Sequence, residues 1–476
     1  MKPNHSSALG VLVLAAGKGE RMQSETPKVL HPLAGRPIIY HVLRAVSSLK
    51  LSSLAIVVGH EAPAVRLKVQ EFVQDSHWIK TPAFFTQKEQ LGTGHAVFSG
   101  ASFLKKHSAV LIVCGDTPLL TYDSLSSVVR FHQTENNAVT LLTARLSNPQ
   151  NYGRILRSSS GEVLRIVEES EAGDGEKAIT EVNSGVYCFS TGLLLKALKE
   201  VKPKGPHREY YLTDAVDWVR SHGGKVAALL SPNAEEILGI NSRLHLSIAE
   251  RILNRRTLER FMLVGVTVVD PAATYADSSV EIGAETVLYP GVILKGATRI
   301  GKNARIGPYT FIDDSQVGNS AEVRFSCLTS CRVGDAALVG PFAHLRNGAV
   351  IGPQARVGNF SEVKKSTLGK GAKVSHLSYI GDAQIGDNVN IGAGVITCNF
   401  DGVNKHPTVI EADAFIGSNV NLVAPVRIGK GALVGAGSTI TEDVPEEKLA
   451  LARALQVIKD KKTAGGSKKV AERLRR

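Results

Sequence analysis

The sequence predicts an α/β chain in two parts, a layered α/β domain followed by a parallel β-helix built from six-residue repeats. Three observations carry that expectation. Up to about Arg243, short β-branched runs alternate with amphipathic stretches, as strands and helices do in a layered sheet. From Ile282 the period changes, and Ile282, Leu288, Leu294, Ile300, Ile306 and Ile312 follow one another at intervals of six. Neither a helical period of about 3.6 nor a strand alternation of about two gives that spacing, so this half reads as stacked repeats. Between the two parts lies one continuous helical pattern.

The elements follow in order. Residues 10–14, 55–58, 109–113 and 138–142 read as buried, mostly parallel strands. Residues 38–47 and 122–132 read as helices. Over 242–263, Leu244, Ile248, Ile252, Leu258, Phe261 and Met262 recur at helical spacings, and Gly265 marks the stop. The repeat register resumes with Leu345, Ile351, Val357 and Val363, and again with Ile416, Leu422, Ile428, Val434 and Ile440. Each repeat supplies one side of a triangular coil, its aliphatic residue pointing into the shaft, for on the order of ten coils. Residues 398–408, where the repeat breaks, are expected to loop out. The expected organisation is therefore a domain over 1–242, a helical linker over 243–264, a β-helix over 265–456 and a basic tail over 457–476.

The 476 residues are 43% apolar and 21% charged, enough to bury more than one core. Aromatics at 5% against 45 glycines suit a fold rich in turns and small side chains. A net charge of +12 would by itself suggest a nucleic-acid or membrane-surface partner. Half of that excess sits in the tail, where Lys459, Lys461, Lys462, Lys468, Lys469, Arg473, Arg475 and Arg476 face only Asp460 and Glu472. The rest is mildly basic, as suits a protein that handles phosphates, and no nucleic-acid partner is expected. Cys114, Cys188, Cys327, Cys331 and Cys398 show no paired spacing and fit reduced cytosolic thiols. The apolar stretch 9–16 is too short to span a membrane, so a soluble, cytoplasmic protein is expected.

The chemistry-bearing residues begin with Leu14-Ala15-Ala16-Gly17-Lys18-Gly19-Glu20-Arg21-Met22 after the first strand. Small residues there let backbone amides approach phosphate oxygens. A second polar loop runs from Gln87 through Gly92, Thr93 and Gly94 to Ala96, suited to the edge of a uracil. Cys114-Gly115-Asp116 places a carboxylate at the C-terminal end of a buried strand, where open α/β sheets hold ligands. Beside a phosphate cradle Asp116 is a natural magnesium ligand, although alone it would read as a helix cap. Alone, Arg21 and Lys28 would read as solvated surface charge.

The spacing LxxGxGxR followed by Pro27-Lys28 resembles the signature of sugar-nucleotide pyrophosphorylases. With Gly153, Glu168-Glu169, Asn183, Tyr210 to Asp214 and Gly239-Ile240-Asn241, the first half is similar, in order and spacing, to the Rossmann-like uridylyltransferase domain that makes UDP-N-acetylglucosamine. The resemblance implies that Leu14, Ala15, Ala16, Gly17, Lys28, Gln87, Gly92, Thr93, Cys114 and Gly115 contact UTP and its product. It implies that Gly153, Glu168 and Asn183 hold the amino sugar, and that Asp116 with Asn241 binds Mg²⁺. Attack of a sugar phosphate on the α-phosphorus of UTP gathers negative oxygens, so Arg21 and Lys28 would serve catalysis as cations.

In the repeat half, Phe342 to Arg346, Glu362-Val363-Lys364-Lys365, His376 to Tyr379, Asn388 to Ala393 and Asn399 to Gly402 resemble a glucosamine-1-phosphate N-acetyltransferase site on a left-handed β-helix. By that resemblance His376 is the base that takes a proton from the sugar amine as it attacks acetyl-CoA. Arg346 and Lys364 would grip the sugar phosphate, and Tyr379 and Asn390 would position the sugar. Ala393, Asn399, Phe400, Lys405, Ser418, Ala436 and Arg453 would line the acetyl-CoA site. Direct transfer needs no cysteine, and His344 and His406 receive no role. The resemblance covers nearly the whole chain and implies a bifunctional enzyme that forms a homotrimer, neighbouring chains completing each acetyltransferase site. Glu20, Ser170, Phe400 and Ala454-Leu455 depart from the usual pattern. Two alternatives stay open: a single-activity nucleotidylyltransferase with a scaffold β-helix, and a non-catalytic binding protein recruited through its basic tail.

Overall fold

A computed structural model describes residues 9–49, 52–75, 80–204 and 208–459. Beyond Lys459 the basic tail lies outside the described residues. The chain divides into two compact units, one holding residues 1–259 with 276–278 and the other 260–275 with 279–476.

The first unit is built on one nine-stranded sheet. Its strands are β1 (Leu9–Ala15), β2 (Ser53–Val58), β3 (Ala83–Thr86), β4 (Ala109–Cys114), β5 (Val139–Arg145), β6 (Arg154–Arg157), β7 (Val163–Val167), β8 (Glu181–Ser190) and β9 (Val226–Leu230). The main path runs β9-β5-β8-β4-β1-β2-β3, with β6 joined to β8 and β7 beside it. Pairing is parallel throughout the β4-β1-β2-β3 half, whereas β8 runs antiparallel to both β4 and β5. The central strands β1, β2 and β4 are almost wholly apolar because both faces of the sheet are covered, whereas β5 and β8 also bury Thr140, Thr143 and Ser184. Val11, Val13, Ile56 and Leu111 pack on one face with the helices Ile38–Ser47, Ala62–Asp75 and Tyr122–Thr134. Leu12, Val57, Val110 and Ile112 pack on the other with Thr93–Ser99, Thr191–Glu200 and Leu212–Ser221.

The long helix spans Arg243–Leu263. Ala249 and Ile252 join Met22, Leu33, Ile38, Leu119 and Ile240 in a small apolar cluster beneath the loop after β1. Leu244 and Met262, which share the helical spacing, face solvent at 69% and 40% exposure. No helix among the described residues is long and apolar enough to cross a membrane.

The second unit is a left-handed β-helix whose three faces are parallel sheets of 11, 10 and 9 strands. Leu288, Leu294, Ile306 and Ile312 are fully buried in the shaft, each contributing about 1.5–3 kcal/mol by leaving water. The shaft is continuous where the six-residue spacing lapses. After Ile312 the buried register runs through Val317, Val323, Leu328, Val333 and Val339 to Leu345, so several sides are one residue shorter. The strands Ile396–Cys398 and Thr408–Ile410 bracket the looped-out segment. Replacing Leu294 by Ala should cost the β-helix about 2–5 kcal/mol, read as an earlier urea midpoint by circular dichroism.

Candidate functional site

In the first unit the chain leaves β1 for β2 and β3 on one side, then returns to place β4 on the other side of β1. Open α/β sheets bind ligands at such a switch point, beyond the carboxyl ends of the strands. Leu14 pairs in register with Cys114, and Gly115 donates its N–H to the Leu14 carbonyl at 2.8 Å, which locks the two strand ends together. A cavity of about 760 Å³ opens there.

Its wall contains Leu14, Ala15, Ala16, Gly17, Arg21, Lys28, Gln87, Gly92, Thr93, Cys114, Asp116 and Asn241. A Cβ on Gly17 would meet nothing within 4 Å, so this segment of the loop presents bare backbone to the cavity. Gly92 is held at φ +93°, and a Cβ on it would stand 2.7 Å from the Tyr210 carbonyl, which reserves the place for glycine. Gln87, 4% exposed, donates to the Gly92 carbonyl at 3.0 Å and shapes that loop from below.

The charged centre of the cavity is Lys28. Its ammonium pairs with the Asp116 carboxylate and donates to Asn241 Oδ1 at 3.1 Å. The Ile240 N–H bonds to the Asp116 carbonyl at 2.9 Å, which ties the segment carrying Asn241 to the end of β4. Arg21 lies exposed at the rim. Burial, then the Asp116 charge, pushes the Cys114 thiol up to about 12, so it stays protonated and is no nucleophile.

Gly115, Gly153, Glu168 and Asn183 do not line this cavity. The last three form their own cluster. The Asn183 N–H bonds to the Gly153 carbonyl at 2.8 Å, and a Cβ on Gly153 would meet Glu168 Oε2 at 3.4 Å. Asn183 Nδ2 donates to the Tyr187 hydroxyl at 2.6 Å across an irregular stretch of β8, and Thr213 donates to Glu168 at 2.9 Å. Burial, followed by the Thr213 hydrogen bond acting in the opposite sense and then Glu171, Asp214 and Glu209, leaves the Glu168 carboxyl raised. Gln90, Glu209 and Tyr211 also line the cavity. The last two belong to or adjoin the segment from Tyr210 to Asp214, which sequence reading singled out without giving those side chains a role.

In the β-helix, inter-coil register sets the site. Arg346 stands in register with Lys364, and Glu362 with Tyr379. Arg346 is paired to Glu362 at 2.7 Å. The Lys364 ammonium lies against that of Lys405, and this contact and the charge behind it lower the Lys405 pKa. Two neighbouring ammonium groups favour an anion near them. Lys405, expected among the acetyl-CoA residues, is thus brought beside the residue expected to hold the sugar phosphate. A Cβ on Gly381 would fall 2.5 Å from the Tyr379 hydroxyl and 2.8 Å from Asn399 Nδ2, so these two side chains close over that glycine.

A second set forms a column. Lys373 pairs with Asn390, Asn390 with Phe415, and Phe415 with Leu433. Three residues past each stand His376, Ala393, Ser418 and Ala436, in successive coils on one edge. Arg453 Nη1 donates to the Ala436 carbonyl at 2.9 Å and ends the column. Asn399, Phe400 and Lys405 belong to the looped-out segment, where Phe400 bridges Lys405. Asp401 staples that loop by accepting from the Val403 and Asn404 amides and by pairing with His406 at 2.7 Å. Partial burial raises the Cys398 thiol pKa.

Comparison with known proteins matches residues 10–232 to the nucleotidyl transferase family and residues 407–442 to the bacterial transferase hexapeptide repeats. The chain is 49% identical over 450 residues to the bifunctional protein GlmU of Exiguobacterium sp., covering 94% of this chain and 98% of that one. It is 48% identical to the bifunctional protein GlmU of Halalkalibacterium halodurans, covering 94% of this chain and 97% of that one.

The helix Leu212–Ser221, which carries Thr213 to Glu168, also carries Asp217. Burial, then the neighbouring Asp214, raises the Asp217 carboxyl to about 6. Between the ordinary carboxyl value of about 4 and that point, the folded chain keeps a proton that the unfolded chain releases, so stability falls as pH rises through this window. Asp217→Asn should flatten that fall, measured as melting temperature from pH 4 to 7.

Proposed function

The chain belongs to the bifunctional GlmU family, and from that membership we propose that it makes UDP-N-acetylglucosamine in two steps. Acetyl-CoA first acetylates glucosamine-1-phosphate, and UTP then uridylylates the product with release of pyrophosphate. The observation that carries the reading is the cavity at the sheet's switch point, where bare backbone, an ammonium, a carboxylate and an amide oxygen converge. On this reading 1–242 is the uridylyltransferase domain, 243–264 a linker, 265–456 the acetyltransferase domain and 457–476 a basic tail, and the enzyme works in the cytoplasm.

In uridylyl transfer the amides around Ala16 and Gly17 cradle the triphosphate, and Gln87 and Thr93 shape the base pocket. Arg21 and Lys28 offset the charge that gathers as a phosphate oxygen of the sugar phosphate attacks the α-phosphorus and pyrophosphate departs. Gly153, Glu168 and Asn183 hold the amino sugar. Asp116 and Asn241 fit Mg²⁺: two hard oxygen donors already converge on one cation, the ammonium of Lys28. Among the described residues no group of three or more acidic, His or Cys side chains could hold a metal, so nucleotide oxygens and water would supply the remaining donors. When bound, the metal neutralises charge on the phosphate oxygens during displacement.

In acetyl transfer Arg346 and Lys364 grip the phosphate, and Tyr379 and Asn390 set the sugar. His376 accepts the proton that the amine loses as its nitrogen bonds to the acetyl carbon. The carbon–sulfur bond breaks, and the proton passes to the sulfur of departing CoA. The column of Ala393, Ser418 and Ala436, ended by Arg453, offers an elongated small-residue track for the acyl donor, and Asn399, Phe400 and Lys405 complete its site.

We also propose that the β-helix assembles as a homotrimer. Tyr309, Phe325, Phe342 and Phe360 stack along one corner with ring centroids 5.9, 5.6 and 5.3 Å apart, and Leu377 follows in the next coil. All five are more than a third exposed, and a continuous apolar stripe of this kind favours burial against further copies. Phe342→Lys should shift the mass in light scattering from trimer toward monomer. An unchanged trimer would place the interface elsewhere.

Incubation with glucosamine-1-phosphate, acetyl-CoA, UTP and Mg²⁺, with single omissions, should give UDP-N-acetylglucosamine by mass spectrometry only when all are present. His376→Ala should abolish acetylation and spare uridylyl transfer. Asp116→Asn should reverse that pattern, lowering uridylyl transfer about 10²- to 10³-fold. Equal loss of both activities in either variant would count against separate sites.

A further inference from the structure

We propose that Asn359 is a positioning residue for acetyl transfer, one that fixes the tautomer and direction of the His376 ring so that Nε2 is the atom that takes the amine proton. The inference rests on the reading of His376 as the base. The His376 side chain is exposed, and a free imidazole at the surface would sample several rotamers and both neutral tautomers. Here it does not stand free, because His376 Nδ1 lies 2.6 Å from Asn359 Oδ1.

The backbone makes that contact rigid. Asn359 and His376 are register partners in adjacent coils, at the ends of strands Arg356–Asn359 and Lys373–His376. These strands have 4 residues each, whereas the other strands of that face have 2. The ladder is thus extended at this edge alone, and the Leu377 N–H continues it to the Asn359 carbonyl at 3.0 Å. Gly358 permits the extension, since a Cβ there would lie 2.0 Å from the Ser375 carbonyl oxygen. Two side chains at one register position stand about 4.8 Å apart and point the same way, which suits a single hydrogen bond between them.

An amide oxygen only accepts, so it selects the ring with its proton on Nδ1 and leaves the Nε2 lone pair outward. A neutral amide also does this without placing a negative charge beside the base. Reversed, the amide nitrogen would donate to Nδ1, leave the proton on Nε2 and disable the base. Partners that set a ring's tautomer in this way support many histidines that bind metals or move protons.

The test begins with the wild-type protein, labelled with ¹⁵N-histidine and examined near pH 8 by solid-state NMR, the His376 signal being identified by its loss in His376→Gln. The expected spectrum has a protonated Nδ1 and a pyridine-like Nε2; the opposite pattern overturns the proposal without any change at position 359. Asn359→Leu should lower kcat for acetylation about 10- to 100-fold, with KM for both substrates within about twofold. Asn359→Asp, which restores an acceptor at the same place, should recover most of kcat. Full kcat in Asn359→Leu, or failure of Asn359→Asp to recover it, would also overturn the proposal. Acetylation that survives His376→Ala would instead remove the base itself, an outcome separate from the ring's tautomer.

Discussion

The hydrogen-bond ladder between successive coils is the constraint from which the second half of the molecule follows. It repeats the backbone at one spacing along three faces, so whatever side chain occupies a given place in one coil lies over the same place in the next. His376, Ala393, Ser418 and Ala436 are far apart in sequence yet form one column, and Arg346 stands against Lys364 for the same reason. Chemistry in such a fold is assembled by periodic placement. The inward aliphatics keep the shaft closed, leaving the outward positions free to carry polar groups.

The first half positions its groups by a different route. Parallel strands buried on both faces are rigid, and their carboxyl ends at the point where the strand order reverses leave backbone and side chains unpaired by the sheet. Lys28, Asp116 and Asn241 come from three separate segments, and the Ile240 amide, bonded to the Asp116 carbonyl, helps to bring the last two together. Nearby, the fully buried Arg154 is paired with Glu169 at 2.7 Å, which holds β6 and β7 beside the cluster of Gly153, Glu168 and Asn183. A buried cation of that kind adds little net stability but strongly disfavours any arrangement that leaves it unpaired.

Much of this was legible in the residues. The run of aliphatics from Ile282 to Ile312 identifies the coil because only a shaft demands one buried side chain per side. Between Ile312 and Leu345 the register was hidden, since sides shortened by one residue at Val317, Leu328 and Val333 break a strict count while leaving the shaft whole. The cavity lining from Leu14 to Gly17 and at Asp116 could be read from strand ends and small residues. The antiparallel course of β8 could not, because pairing direction depends on distant partners and its apolar run resembles a parallel strand. Asn359 gave no signal, being neither ionisable nor part of the periodic core. Its place opposite His376 exists only once the coils are stacked.

The segment between Cys398 and Thr408 leaves the coil and returns to it with the shaft unbroken, the strands Ile396–Cys398 and Thr408–Ile410 pairing with the coils on either side. Its internal fastening is local, through Asp401, His406 and the Phe400–Lys405 bridge. Insertions or deletions there need not disturb the register of any later coil, because each doubling of loop length costs only about 0.6 kcal/mol of closure entropy. The fold therefore separates heritable change in length from heritable change in shape. A lineage can lengthen or trim this one excursion and so revise what the edge accepts, while the rest of the solenoid is inherited unaltered.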